Sequence, residues 1–272
     1  MRKAFRRPVF LIGLFISLAL FSVALLSLVW TPFPPTKMNI VQKLKAPLEF
    51  GLLGTDQFGR DVASALMVGA WNSLSTSILA VALGASIGTM AGVVVAMRRG
   101  WLELIVMRGC DIIFAVPPIL SAMMLGAFIG SGRFTAIVAI AVFMVPVFAR
   151  LTLSAALQIW TRDYVAAAVG MGRSKATITR VHVLPNISNQ IIVQVTIQLG
   201  LAILTEAGLS FLGLGMPPPA PTWGRMLADS QTFLGQAPWL ALMPGLAIAL
   251  AVLGLNMLGD GLRDLLDPRD DS

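Results

Sequence analysis

Long apolar windows alternate with short charged segments along this chain. A helix needs about 20 apolar residues to cross roughly 30 Å of hydrocarbon. By that measure six windows predict membrane spans: residues 8–30, 72–97, 112–129, 134–149 with an extension toward Leu153, 187–214 and 239–258. The pattern predicts an all-α integral membrane protein of six transmembrane helices. Between the fourth and fifth windows lies a polar island carrying Arg162, Arg173, Lys175 and Arg180. Placed between two spans, it must stand outside the hydrocarbon, where a soluble partner can dock.

Composition supports the membrane assignment. The chain is 57% hydrophobic and 12% charged, with a mean hydropathy of +0.83, and so is more apolar than a typical soluble domain. The net charge of +7 raises nucleic acid as a partner. No basic run is interleaved with aromatics, however, and the positive residues flank the apolar windows as topology determinants do. Cys110 is the single cysteine, which excludes an internal disulfide and fits a packing role.

Charge distribution sets the expected orientation. Arg2, Lys3, Arg6 and Arg7 precede the first window, which is too long for a cleaved signal and lacks a small-x-small cleavage site. An uncleaved anchor with its N-terminus inside puts 14 of the 20 basic residues on the cytoplasmic side, as the positive-inside rule requires. Both termini are then cytoplasmic. The expected organisation is a segment with the first span (1–30), an external segment (31–71) and a five-span core (72–260), followed by a cytoplasmic tail (261–272). The core includes an inner loop at 154–186 and an outer loop at 215–238. The external segment opens on Thr31-Pro32-Phe33-Pro34-Pro35, a stiff exit from the membrane. The outer loop opens on Pro217-Pro218-Pro219, and its Trp223-Gly224 pair reads as an interfacial aromatic anchor beside a turn.

Four patches, in order, resemble one family. Residues 53–61, Leu-Gly-Thr-Asp-Gln-Phe-Gly-Arg-Asp, are similar to its LGTDxxGRD segment. Residues 163–172, continuing to Leu184-Pro185-Asn186, resemble its cytoplasmic EAA loop. Residues 209–215, with Pro217-Pro218 and Trp223-Gly224, resemble its SFLGLG run. Residues 256–264, with Leu266-Asp267-Pro268, resemble its C-terminal segment. The chain thus resembles the permease subunit of a bacterial ATP-binding-cassette importer of the peptide, opine and nickel class, and specifically the second of its two permeases.

The resemblance implies the type I importer permease fold in the bacterial inner membrane. It also implies a second, related permease, two cytoplasmic ATPases that bind ATP and Mg, and a periplasmic solute-binding protein. Contact with the ATPases falls to Asp163, Tyr164, Ala166, Ala167, Ala168, Gly172, Arg173, Leu184 and Pro185. Gly54, Thr55, Asp56, Gly59, Arg60, Asp61, Trp223 and Gly224 form the periplasmic motif. Short peptides lead as cargo, with nickel chelates and opines as alternatives. Two departures from the broader EAA pattern stand out: Ala166 occupies the acidic place, and His182 a position often held by isoleucine.

The residues themselves agree with a role that is not enzymatic. No phosphate loop of the Gly-Lys-Ser/Thr kind occurs, so hydrolysis falls to another subunit and the chain carries no cofactor of its own. The lone His182 lacks the company of donors that a metal site needs. The three consecutive alanines and Gly172 suit a short helix seated in a partner's groove. Asp163 can cap that helix or meet a basic residue of the partner.

Glu206 is the one acid well inside a predicted span. It either faces a translocation path or is hydrogen-bonded to Thr205 or Ser210 and fixes packing; Asn256 is a weaker case of the same kind. Gly84, Gly88 and Gly92 leave one helix face bare for close packing, within the bundle or against the partner permease. Pro117-Pro118 and Pro146 are expected to break or kink the third and fourth spans. A secondary transporter would need more intramembrane charges or a repeat, and a membrane enzyme would need a catalytic constellation; neither is present in the sequence.

Overall fold

The computed structural model describes residues 8–266. Arg2, Lys3, Arg6, Arg7, Asp267, Pro268 and Arg269 lie outside them. Ten helices are named here: α1 (Pro8–Leu26), α2 (Val62–Arg98), α3 (Trp101–Ala115), α4 (Pro118–Ile129), α5 (Arg133–Trp160), α6 (Asp163–Gly170), α7 (Lys175–Ile178), α8 (Leu184–Phe211), α9 (Trp223–Ser230) and α10 (Trp239–Leu266). Among the described residues the only β-pairing is an isolated bridge between Thr55 and Asp61.

Among the described residues five helical runs are long and apolar enough to cross a membrane, and the bent pair α3–α4 makes a sixth candidate span. That pair is where the third window was expected to break or kink, at Pro117-Pro118. The two halves meet at 90°, because Pro117 forces Val116 into extended backbone (ψ 124°) and Pro118 then starts a new helix. Pro146, by contrast, leaves α5 unbroken. The helix also passes through Arg150 to Trp160, well beyond the apolar window. Likewise α2 begins ten residues before its window, at Val62, because Asp61 caps it there.

The densest seam joins α2 to α5. A Cβ on Gly88 would stand 2.5 Å from Val145 O and 2.8 Å from Phe148 Cβ, and Gly92 is as tightly placed against Ala149 and Thr152. The bare face formed by Gly84, Gly88 and Gly92 therefore packs within this chain's own bundle. Ile140, Met144 and Phe148 fill the adjoining core with Val81 and Leu209. A second core gathers Leu74, Ile203, Trp223, Ile248 and Leu255 from α2, α8, α9 and α10. The bundle so formed leaves two ends: one bears α6 and α7, the other bears α9 and the loop ahead of α2.

Candidate functional site

At the first end, α6 is an eight-residue helix lying on the chain's own surface. Val165 and Ala168 turn inward and pack with Ile178, Ile159 and Trp160. Tyr164, Ala166, Ala167 and Val169 face outward, and Met171 just past the helix is 73% exposed. Arg162 occupies the N-cap position without a side-chain bond, and Asp163 is the first helical residue. Asp163 therefore does not cap the helix; its carboxylate sits in the first turn, where it complements the helix dipole.

The helix ends in a tight reversal. Gly172 adopts φ +79°, its N–H reaching Val169 O at 2.9 Å while Arg173 N reaches Ala168 O at 3.1 Å. This is the glycine-terminated reversal that satisfies the last carbonyls of a helix. Ser174 then caps α7, accepting from Thr177 N at 3.2 Å, and Lys175 donates to Met97 O at the end of α2 at 3.1 Å.

From Lys175 the chain runs helically to Phe211, 37 residues in all. One π turn, Thr179–Val183, interrupts the α pattern, with Leu184 N donating to Thr179 O. Pro185 explains its position. The proline has no N–H for the carbonyl four residues earlier, and widening the preceding turn accommodates the ring. Asn186 Nδ2 donates to His182 O at 2.6 Å. The His182 ring lies 5.8 Å from that of Tyr164, so the lone histidine fastens α6 to this turn.

The opposite end is built from the 53–61 segment and the 215–230 region. Asp56 Oδ1 accepts from Phe58 N (2.8 Å) and Arg60 N (2.9 Å), and Oδ2 from Arg60 Nε (2.6 Å). Gly54 and Gly59 adopt φ +76° and +70°, a region that side chains disfavour. Thr55 is fully buried, donating to Gln42 O and accepting from Lys45 N. Asp61 Oδ2 accepts from Ser64 N (2.8 Å) and Ser64 Oγ (2.6 Å), and Ser64 Oγ in turn accepts from Phe33 N at 2.9 Å. Each motif residue thus shapes the loop or starts α2.

Trp223 corrects the expected interfacial anchor. It is 1% exposed, with its indole N–H donating to Leu66 O at 3.2 Å and its backbone N–H to Ser73 Oγ at 3.3 Å. Thr222 caps α9, which draws the ring into the core, and Gly224 lets α9 rest on the backbone of Ala207. Asn72 Nδ2 holds the proline loop through Pro221 O at 2.7 Å. Asp56, Gln57 and Arg60 line an open cleft together with Arg225 and Asp229 of α9.

Glu206 lies between these ends in α8. It is 1% exposed and accepts from Ser210 Oγ at 2.6 Å, while Thr205 instead bonds its own helix at Leu201 O. Helices of this chain enclose the carboxylate. Asn256 is exposed on α10, with its amide against Gly200 of α8. The structure does not bring Glu206 and Asn256 together with the α6 residues. Sequence reasoning missed Asp111, which pairs with Arg150 across α3 and α5; an acid immediately before the third apolar window was its only signal.

Comparison with known proteins agrees with this architecture. Residues 88–270 match the family described as binding-protein-dependent transport system inner membrane component. The dipeptide transport system permease protein DppC of Alkalihalophilus pseudofirmus is 38% identical, over 98% of this chain and 90% of that protein. The glutathione transport system permease protein GsiD of Pectobacterium atrosepticum is 43% identical over 80% of this chain and 72% of that one. Among solved structures, the MetNI methionine ABC transporter in inward-facing conformations superposes with a TM-score of 0.62 at 21% identity, covering 75% of this chain and 96% of the other. The chain belongs to the family of binding-protein-dependent transport system inner membrane components. It is a multi-pass membrane protein with the fold of an ABC-transporter permease.

Proposed function

We propose that this chain is one of two membrane-spanning subunits of an ATP-driven importer in the bacterial inner membrane, moving di- or oligopeptides into the cytoplasm. Cargo is inferred from relatives that carry dipeptide and glutathione transport in their names. Both termini are cytoplasmic in this reading. The α6 end then faces two partner ATPases, which bind ATP and Mg. The α9 end receives a periplasmic binding protein, and a second permease completes the passage.

The observation that carries the mechanism is the seating of α6. Val165 and Ala168 fasten it from below, while Tyr164, Ala166, Ala167 and Val169 remain outward, leaving a small-residue surface for a partner's groove. The surface is joined to a lever. A 37-residue helical run spans about 55 Å at 1.5 Å per residue, so displacement of α7 carries α8 with it. Gly172, Arg173, Leu184 and Pro185 form the reversal and the π-turned joint between seat and lever. At the far end of α8, Ala207 supports Gly224 of α9. Movement at the ATPase seat is thereby transmitted toward the face that meets the binding protein, a rigid-body route to alternating access.

The test is ATP hydrolysis by the whole co-expressed complex in lipid nanodiscs. Its binding protein is presented empty, loaded with peptide, or loaded with chelated nickel. Stimulation by the peptide-loaded form is expected. Stimulation by the nickel form alone would overturn the cargo, and failure of any ATPase to associate would overturn the importer reading.

A further inference from the structure

The bent span α3–α4 is the most loosely held part of the bundle. In α3 only Cys110 is buried, and in α4 only Ala122, whereas α5 buries residues along its whole length. The halves meet at 90° with no shared helical ladder across Val116 and Pro117. Leu102, Val106 and Met107 of α3 and Leu125 of α4 pack against the bundle with only part of their surface, and the polar fastening lies just before the bend. Asp111 of α3 pairs with Arg150 of α5, and the same guanidinium lies 4.8 Å from the Phe114 ring centre. Phe114 in turn tilts against Phe143 of α5 at 6.3 Å.

Arg150 stands seventeen residues beyond Arg133, the first residue of α5, or about 25 Å along the helix. That places it near the α6 end of a hydrocarbon layer about 30 Å thick. Charges at such depth pair with one another or face water. Both partners are close to half exposed, at 46% and 47% of their side-chain surface. The pair is therefore not sealed inside this chain's own core, and the two groups can part without opening that core. Arg108 lies 3.7 Å from Asp111 on the same helix, so the carboxylate keeps a cation beside it when Arg150 withdraws.

We propose that Asp111–Arg150 is a releasable latch. It holds the bent span against α5 at the inner end of the passage and stabilises the conformation seen here against the one reached during transport. Arg150 and Asp111 are positioning residues, acting through the placement of α3 and α4. The proposal rests on the importer reading above and adds to it which contact sets the resting state.

A double-mutant cycle in the complete complex in nanodiscs tests this, using Asp111→Asn, Arg150→Gln, both together, and Arg150→Lys. The quantity read is the ratio of basal to binding-protein-stimulated ATP hydrolysis, which a fault in folding or yield alone does not move. Each single neutral variant is expected to raise the ratio by up to about fivefold, the range open to a half-exposed ion pair. The double variant is expected to rise no further than the larger single, because one interaction is lost only once, and Arg150→Lys should stay near wild type. Unchanged ratios in the singles, or effects that multiply in the double, would overturn the latch. Wild type in the same preparation separates the two readings. If it is stimulated while the variants match it, only the latch fails; if it is not stimulated at all, the importer reading fails and takes the latch with it.

Discussion

Ser210 donates from Oγ to Glu206 Oε1 at 2.6 Å, one turn apart on α8 and both within the core. The bond joins two buried groups beside the seat of α9, since neighbouring Ala207 carries Gly224. Replacing Glu206 by alanine leaves the Ser210 hydroxyl without this acceptor and opens a cavity. A loss of about 1–3 kcal/mol is expected from the orphaned group alone. Glutamine retains a carbonyl acceptor of the same shape and should stay closer to wild type. Thermal melting of the purified complex checks the order Glu206→Ala below Glu206→Gln; equal melting of both with wild type would contradict the packing role.

The α2–α5 seam makes a sharper forecast. Gly88→Val places methyl groups where Val145 O and Phe148 Cβ already stand, and overpacking of this kind costs about 1–3 kcal/mol. Gly109→Ala is the control. Its Cβ meets nothing within 4 Å, so the change should be neutral or add about 0.5–1 kcal/mol through the unfolded chain and helix propensity. A lowered melting temperature for Gly88→Val, with none for Gly109→Ala, is the expected result.

Asp61 starts α2 and also orients Ser64, which holds Phe33 N. Asp61→Ala should cost about 1 kcal/mol as a lost N-cap and loosen the loop ahead of α2. Proteolysis of intact vesicles checks this, with faster cleavage expected between Thr31 and Arg60 and none gained near α6.

The membrane class and five of the six windows, each falling on a helix long enough to span, were legible because charge-free windows report directly on hydrocarbon. Their ends were less so. Asp61 extends α2 backwards through a cap and α5 runs on past Arg150, since a helix need not stop where its apolar stretch does. The 90° bend was written in Pro117-Pro118, but Pro146 carried the same signal and α5 stayed unbroken through it, in a region where Gly88 of α2 packs against Val145 and Phe148. Trp223 looked like an interfacial ring; a cap at Thr222 and a carbonyl at Leu66 turned it inward, and neither is visible from local composition. For α6 the alternation of inward Val165 and Ala168 with outward Ala166 and Ala167 was readable only once Ile178 and Trp160 came beneath it. The Asp111–Arg150 pair is separated by 39 residues, and no local pattern links them.

Cross-linking from α6 tests ATPase docking most directly. Ala167→Cys places a thiol on the outward face, Ala168→Cys on the inward face, and Leu48→Cys at the opposite end, where Leu48 is 83% exposed. In the assembled complex, a bifunctional thiol reagent should join the cysteine at 167 to the partner ATPase and leave those at 168 and 48 unjoined. An ATPase adduct at 48, or none at 167 in a complex that hydrolyses ATP, would contradict the account.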